Sequence, residues 1–207
     1  MATLVGAATL VAPGAAYADT AALSRRPFGS GSYILVFSIT NDTSAPLNGW
    51  RMEFDLPPGE FVQGLFTFSI RVTKVDQHFI LENANPVTIN PGRSVNYGIP
   101  ILGQSWPQNC LSRGTPCSID TEPPSTPTNV RIGRLPYTST GTWLQWSMST
   151  DNVAVAAYEV TRNGAVIATT TGGSYALPAA DSGAVYGVRA LDDMGNRSGL
   201  ATAVYPS

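Results

Sequence analysis

Apolar and polar residues alternate with a period of two along most of the chain, which predicts strands rather than helices. Tyr33–Thr40 is rich in aromatic and β-branched residues and ends at Asn41-Asp42. From Leu47 to Leu56, one face carries Trp50, Met52, Phe54 and Leu56, and the other Arg51, Glu53 and Asp55, the pattern of a single half-buried strand. Pro57-Pro58-Gly59 then turns the chain. Further strands are predicted at Phe66–Val75, His78–Glu82 and Ser94–Ile99, the last launched by Asn90-Pro91-Gly92. The pattern resumes with Thr142–Ser147, Tyr158–Arg162, Ala165–Thr170 and Tyr186–Leu191, and a turn follows over Asp193, Gly195 and Asn196. Asn163-Gly164 is the strongest hairpin signal in the chain. Strands at this spacing, without an amphipathic helix between them, predict an all-β protein made of antiparallel β-sandwiches.

Composition agrees. Of 207 residues only 13% are charged, and there are 20 Gly and 16 Pro, which suits short strands joined by turns. Twelve basic residues against 14 acidic ones leave a net charge of -2, so neither nucleic acid nor an anionic membrane is expected as a partner. One His and two Cys exclude a His- or Cys-rich metal site, and neither a metal nor a cofactor is expected.

Residues 118–129, SIDTEPPSTPTN, place Pro123, Pro124 and Pro127 among Ser and Thr, the composition of a stiff, solvated connector. The expected layout is therefore 1–18 signal peptide, 19–119 first domain, 120–127 linker and 128–207 second domain, with the two sandwiches held semi-rigidly apart. Residues 1–18 are uncharged and end in Ala16-Tyr17-Ala18, small residues where a signal peptidase accepts them. Cleavage after Ala18 and secretion are expected, although no Lys or Arg precedes the apolar run; a floppy apolar tail is the other reading. In an oxidising compartment Cys110 and Cys117, with Gly114 and Pro116 permitting a turn between them, are expected to form a small local disulfide.

The stretch from about Pro27 to Ile119 resembles a family 2 carbohydrate-binding module, through FSITNDTSAPLNGW, FDLPPGEFVQGLF, NPVTINPGRSVNYGI and GTPCSI in that order. Residues 123–205 resemble a bacterial fibronectin type III domain, through PPSTPTNV, LQWSMSTDNVAVAAYEVTRNG and YGVRALDDMGNRSGLA. The resemblances imply a jelly-roll-like module followed by an immunoglobulin-like spacer, with Trp146 in the second core and Tyr186 at the tyrosine corner. They also imply a binding strip of three exposed aromatics, on which a rigid sugar chain stacks without an ordering cost.

Carried over singly, Phe28 lies near the first strip position and Phe66 occupies the second; the third falls at Asn85-Pro86, where no aromatic stands. Trp50 matches an internal tryptophan. Phe28 and Phe66 each have a second reading as ordinary apolar residues of the sheet. Trp106, on a Pro-flanked loop, either rebuilds a sugar contact or covers the end of the sheet. Since Trp143 and Trp146 differ by three residues they face opposite ways, which makes Trp143 the surface candidate of the second domain, with Tyr137 beside it.

A catalytic constellation is not expected. Glu53 and Asp55 share a face with Arg51, as solvated strand residues do. No nucleophile motif accompanies His78, the single histidine. The chain is expected to be a secreted monomer that is not an enzyme and binds insoluble cellulose or chitin, alone or as the binding and spacer part of a chitinase- or cellulase-type hydrolase. An extracellular adhesion or scaffold protein that has lost sugar affinity is the alternative.

Overall fold

A computed structural model describes residues 19–63, 69–133, 141–177 and 181–206, and every regular element among them is a strand. The first domain is built from β1 (Asp19–Pro27), β2 (Ser32–Asn41), β3 (Leu47–Asn48), β4 (Arg51–Asp55), β5 (Phe61–Val62), β6 (Ile70–Val75), β7 (His78–Asn83), β8 (Thr88–Ile89), β9 (Ser94–Leu102), β10 (Gln108–Ser112), β11 (Thr115–Pro116) and β12 (Ser118–Ile119). One sheet runs β12-β1-β2-β9-β5, the facing sheet β11-β10-β4-β7-β6, and β3 pairs with β8. Between them Tyr33, Leu35, Phe37 and Ile39 meet Trp50, Met52, Phe54 and Leu56, all buried. Each such side chain taken out of water contributes roughly 1.5–3 kcal/mol.

The stretch predicted as one strand from Leu47 to Leu56 is two. Gly49 between β3 and β4 has φ +79, and a Cβ there would crowd the Asn83 side-chain oxygen Oδ1, which accepts the Trp50 N–H at 2.8 Å. That break lets β3 leave the sheet and pair with β8. Of the predicted strand Phe66–Val75, residues 70–75 form β6, and 66–68 lie outside the described residues. Cys110 and Cys117 are disulfide-bonded, with Cα atoms 5.4 Å apart.

The second domain comprises β13 (Thr128–Gly133), β14 (Thr142–Ser147), β15 (Val155–Arg162), β16 (Ala165–Thr170), β17 (Ser174–Leu177), β18 (Val185–Asp192) and β19 (Ala201–Val204). Its sheets, β13-β14-β17 and β16-β15-β18-β19, have the three-plus-four arrangement of a fibronectin type III sandwich. Asn163 and Gly164 take φ 49 and 85, as a two-residue turn of type I′ requires. Trp146 is 7% exposed and lies 5.5 Å from the Tyr158 ring. Trp143 is half-buried with its indole nitrogen shielded from solvent, so it is not the free surface ring that parity suggested. Tyr137 lies outside the described residues.

Buried Tyr186 donates its hydroxyl to Asp181 at 2.5 Å, and Arg162 grips the same carboxylate through Nε at 2.6 Å and Nη2 at 2.5 Å. Arg162, then Tyr186, hold the Asp181 carboxyl down at about 2. A carboxyl depressed in the fold contributes stability above its ordinary value near 4 and loses it as pH falls toward the folded value. The melting midpoint of the second domain is therefore expected to drop between about pH 4 and pH 2, and Asp181→Asn to flatten that drop. Parallel midpoints for the two proteins across this window would contradict the assignment.

The expected gap between the sandwiches is closed. Parity turns Ser24, Val36 and Ser38 away from the first core, yet they are 1%, 8% and 1% exposed. Residues of the β14–β15 loop lie against Arg26, Val36 and Asn96. There Asn96 Nδ2 donates to the Val153 carbonyl at 2.6 Å, and Arg26 pairs with Asp193 at 2.8 Å. A near-continuous apolar strand such as β2 is stable when both of its faces are covered.

Candidate functional site

Ser32, Leu102 and Phe61 stand opposite one another across β2, β9 and β5. The turn carrying Phe28, the strand carrying Phe61 and the loop carrying Trp106 therefore gather at one end of the first sheet. Val62 points inward, and Phe61 is 41% exposed. Phe28 leads into the turn before β2 and is 46% exposed. Phe61 escaped the sequence reading; its only signal was alternation with Val62 over two residues, too short to orient a strand.

The Trp106 loop is tied down from several sides. Glu60 accepts hydrogen bonds from Gln104 N–H at 3.1 Å and from the Ser105 hydroxyl at 2.8 Å. Tyr33 donates to the Ser105 carbonyl at 2.6 Å, and Arg25 Nη1 to the Gln104 carbonyl at 2.6 Å. Burial alone would raise the Glu60 carboxyl, but the hydrogen bonds from Gln104 and Ser105 and the Arg25 charge hold it below its ordinary value. Burial pushes the Tyr33 phenol up to about 12, against the Arg25 guanidinium 4.2 Å above its ring. Trp106 packs on the core and leaves part of its ring at the surface, 6.0 Å from Arg25.

Gly103 begins this loop at φ +143, and a Cβ there would run into the Glu60 carboxylate. Gly103→Ala is expected to speed amide exchange at residues 104–106 by at least about tenfold, since strain and displacement cost roughly 1–3 kcal/mol there. Unchanged exchange would show that Glu60 does not set the loop.

Phe66 lies outside the described residues. Of the described residues on either side of it, Val62 pairs with Ile101 at the Phe61 end, and the Ser69 carbonyl accepts the Ala84 N–H at 2.8 Å. Asn85 is exposed at that far end, and Pro86 borders a groove of about 1010 Å³. Trp50 lies in the groove floor but is 2% exposed, a core residue as the resemblance implied. Arg51 pairs with Glu53 at 2.7 Å and Glu82 at 3.5 Å along its wall. His78 Nδ1 meets Asp55 at 2.7 Å across the β4–β7 ladder. Asn109, then His78, hold the Asp55 carboxyl below its ordinary value. These side chains bond to one another across a strand surface.

The model of a family described as "Cellulose binding domain" matches residues 27–117. Chitinase C of Streptomyces lividans is 32% identical over 72% of this chain and 24% of its own length. Chitinase 63 of Streptomyces plicatus is 31% identical over 80% of this chain and 28% of its own. The chain thus spans about a quarter of the length of these curated relatives. A cellulose/chitin binding protein of Mycobacterium bovis is 41% identical over 42% of this chain and 63% of its own. The solution structure of the chitin-binding domain of Chi18aC from Streptomyces coelicolor aligns with 48% of this chain and 94% of its own, at 26% identity and a TM-score of 0.42.

Proposed function

We propose, from a first domain whose residues 27–117 match the cellulose binding domain family model, that this chain holds itself or an attached protein on insoluble chitin or cellulose outside the cell. Phe28 and Phe61, exposed at one end of the first sheet beside the anchored Trp106 loop, carry the reading. Phe66, which the resemblance puts at the second strip position, is taken as a further ring of the strip. A pyranose ring lays its C–H face on an aromatic face, and rings already fixed in place bind without being ordered first. The chain supplies the binding and spacer parts of such a protein and no catalytic part, the second domain being the spacer. Residues 1–18 are its export signal.

Asn85, where the resemblance places a third aromatic, favours a second reading, an extracellular scaffold without sugar affinity. Mixing the purified chain with chitin, microcrystalline cellulose, regenerated cellulose and xylan, and measuring what stays in solution, separates the two. Depletion by chitin or cellulose is expected. No depletion by any of the four would contradict binding and leave the scaffold reading.

A further inference from the structure

We propose that the junction between the two domains binds one divalent cation of the calcium type, held by Asp120, Asp151 and Asp192. One carboxylate oxygen from each lies within 4.8 Å of the others. Oxygens on opposite sides of a calcium ion, each about 2.3–2.6 Å from it, stand about that far apart. The three come from separate segments: Asp120 follows β12, Asp151 lies in the β14–β15 loop, and Asp192 ends β18.

The carboxylates are oriented, and two present oxygens that nothing else uses. Asp120 is 3% exposed and Asp192 4%. Asp120 Oδ1 accepts from the Glu122 N–H at 3.1 Å and from Asn152 Nδ2 at 2.9 Å. Asp151 Oδ2 accepts from the N–H groups of Val153 at 2.9 Å and Ala154 at 2.8 Å. Asp192 Oδ1 accepts from the N–H groups of Met194 and Asn196, both at 2.8 Å. The remaining oxygens Asp120 Oδ2 and Asp151 Oδ1, with the amide oxygen Asn152 Oδ1, are closed off from solvent and receive no hydrogen bond.

Among the described residues no Lys, Arg or His pairs with any of the three; Arg26 takes Asp193 instead. Buried like charges without a counter-charge are unfavourable, and a cation removes that cost. The Asp151 carboxyl lies above its ordinary value through burial, against its backbone hydrogen bonds, and through the charges of Asp120 and Asp192. Three carboxylates are hard donors, which suits calcium and not zinc; a junction formed from three segments also lacks the rigid octahedron that magnesium demands. Sequence composition excluded only His- and Cys-based sites, and no local motif announces ligands so far apart in the chain.

The ion would crosslink the domains, because Asp120 closes the first and the other two ligands belong to the second. Asn196 Nδ2 already reaches the Asp120 carbonyl at 3.4 Å. Loaded, the pair moves as one body; stripped, it keeps the direct contacts of Asn96 with Val153 and of Arg26 with Asp193 and loses the crosslink. This inference does not depend on sugar binding.

Titrating the whole chain, freed of metal by EDTA, with calcium chloride in a calorimeter tests it directly. One equivalent is expected to bind and to raise the melting midpoint by about 5 °C or more at saturation, with magnesium chloride ineffective at the same concentration. Asp151→Asn is expected to weaken calcium binding at least about tenfold while melting no lower than the parent in EDTA, because it relieves repulsion. Asp120→Asn gives the same readout should the first variant fail to fold. No calcium heat and identical melts with and without calcium, or undiminished affinity in the folded variants, would overturn the proposal.

Discussion

Trp50→Ala is expected to destabilise the first domain by about 3–5 kcal/mol, the range for emptying a large aromatic site in a core. Trp50 sits 5.5 Å from Phe37 in an edge-to-face pair and 4.7 Å from the Tyr97 ring, so its loss leaves a void that two aromatic rings cannot both fill. Total stabilities of about 5–15 kcal/mol make this a large fraction. Urea unfolding should show the transition of the first sandwich moving to much lower denaturant, with that of the second nearly in place. Trp50→Phe, which keeps an aromatic partner for Phe37, should recover a good part of the loss. A transition unmoved by Trp50→Ala would mean that the ring is not in the core.

Removing the Cys110–Cys117 bond is expected to cost the first domain about 2–3 kcal/mol, the chain-entropy value for a loop this short. The bond closes the β10–β11 hairpin, where the Cys117 N–H also donates to the Cys110 carbonyl at 3.0 Å. Through β10 it anchors an edge of the sheet that holds β4. Both half-cystines pack against the first core, so replacement with Ser removes contacts as well as the covalent closure. Urea midpoints with and without reductant, and for the double Ser variant, measure the effect. A difference below about 0.5 kcal/mol would mean that the β10–β4 pairing alone sets the hairpin.

Strands were legible where local signals agreed. Thr142–Ser147 and Ala165–Thr170 form β14 and β16 with the expected bounds, because β-branched or aromatic residues follow Gly141 and Gly164 there. β1 was not legible: DTAALSRRP has few strand formers, and its nine residues are held by a full ladder against β2. Tertiary pairing outweighs weak propensity there. Val36 likewise lies beside the β14–β15 loop of the second domain, which periodicity within one strand cannot report. Resemblance implied an internal Trp50, and the ring is buried; Phe61 entered only when the register against Leu102 fixed its direction. Asp120, Asp151 and Asp192 are each unremarkable in sequence, and only folding brings them together.

The most direct test of the central claim is a binding isotherm on insoluble chitin for the parent chain and for the Phe28→Ala, Phe61→Ala and Phe66→Ala variants, each checked for an unchanged melt. Stacking on an aromatic face is worth roughly 1 kcal/mol or more per ring, so each variant is predicted to bind several-fold to about tenfold more weakly, and the triple variant to stay in solution. Isotherms that superimpose on that of the parent would contradict the aromatic strip as the means of attachment.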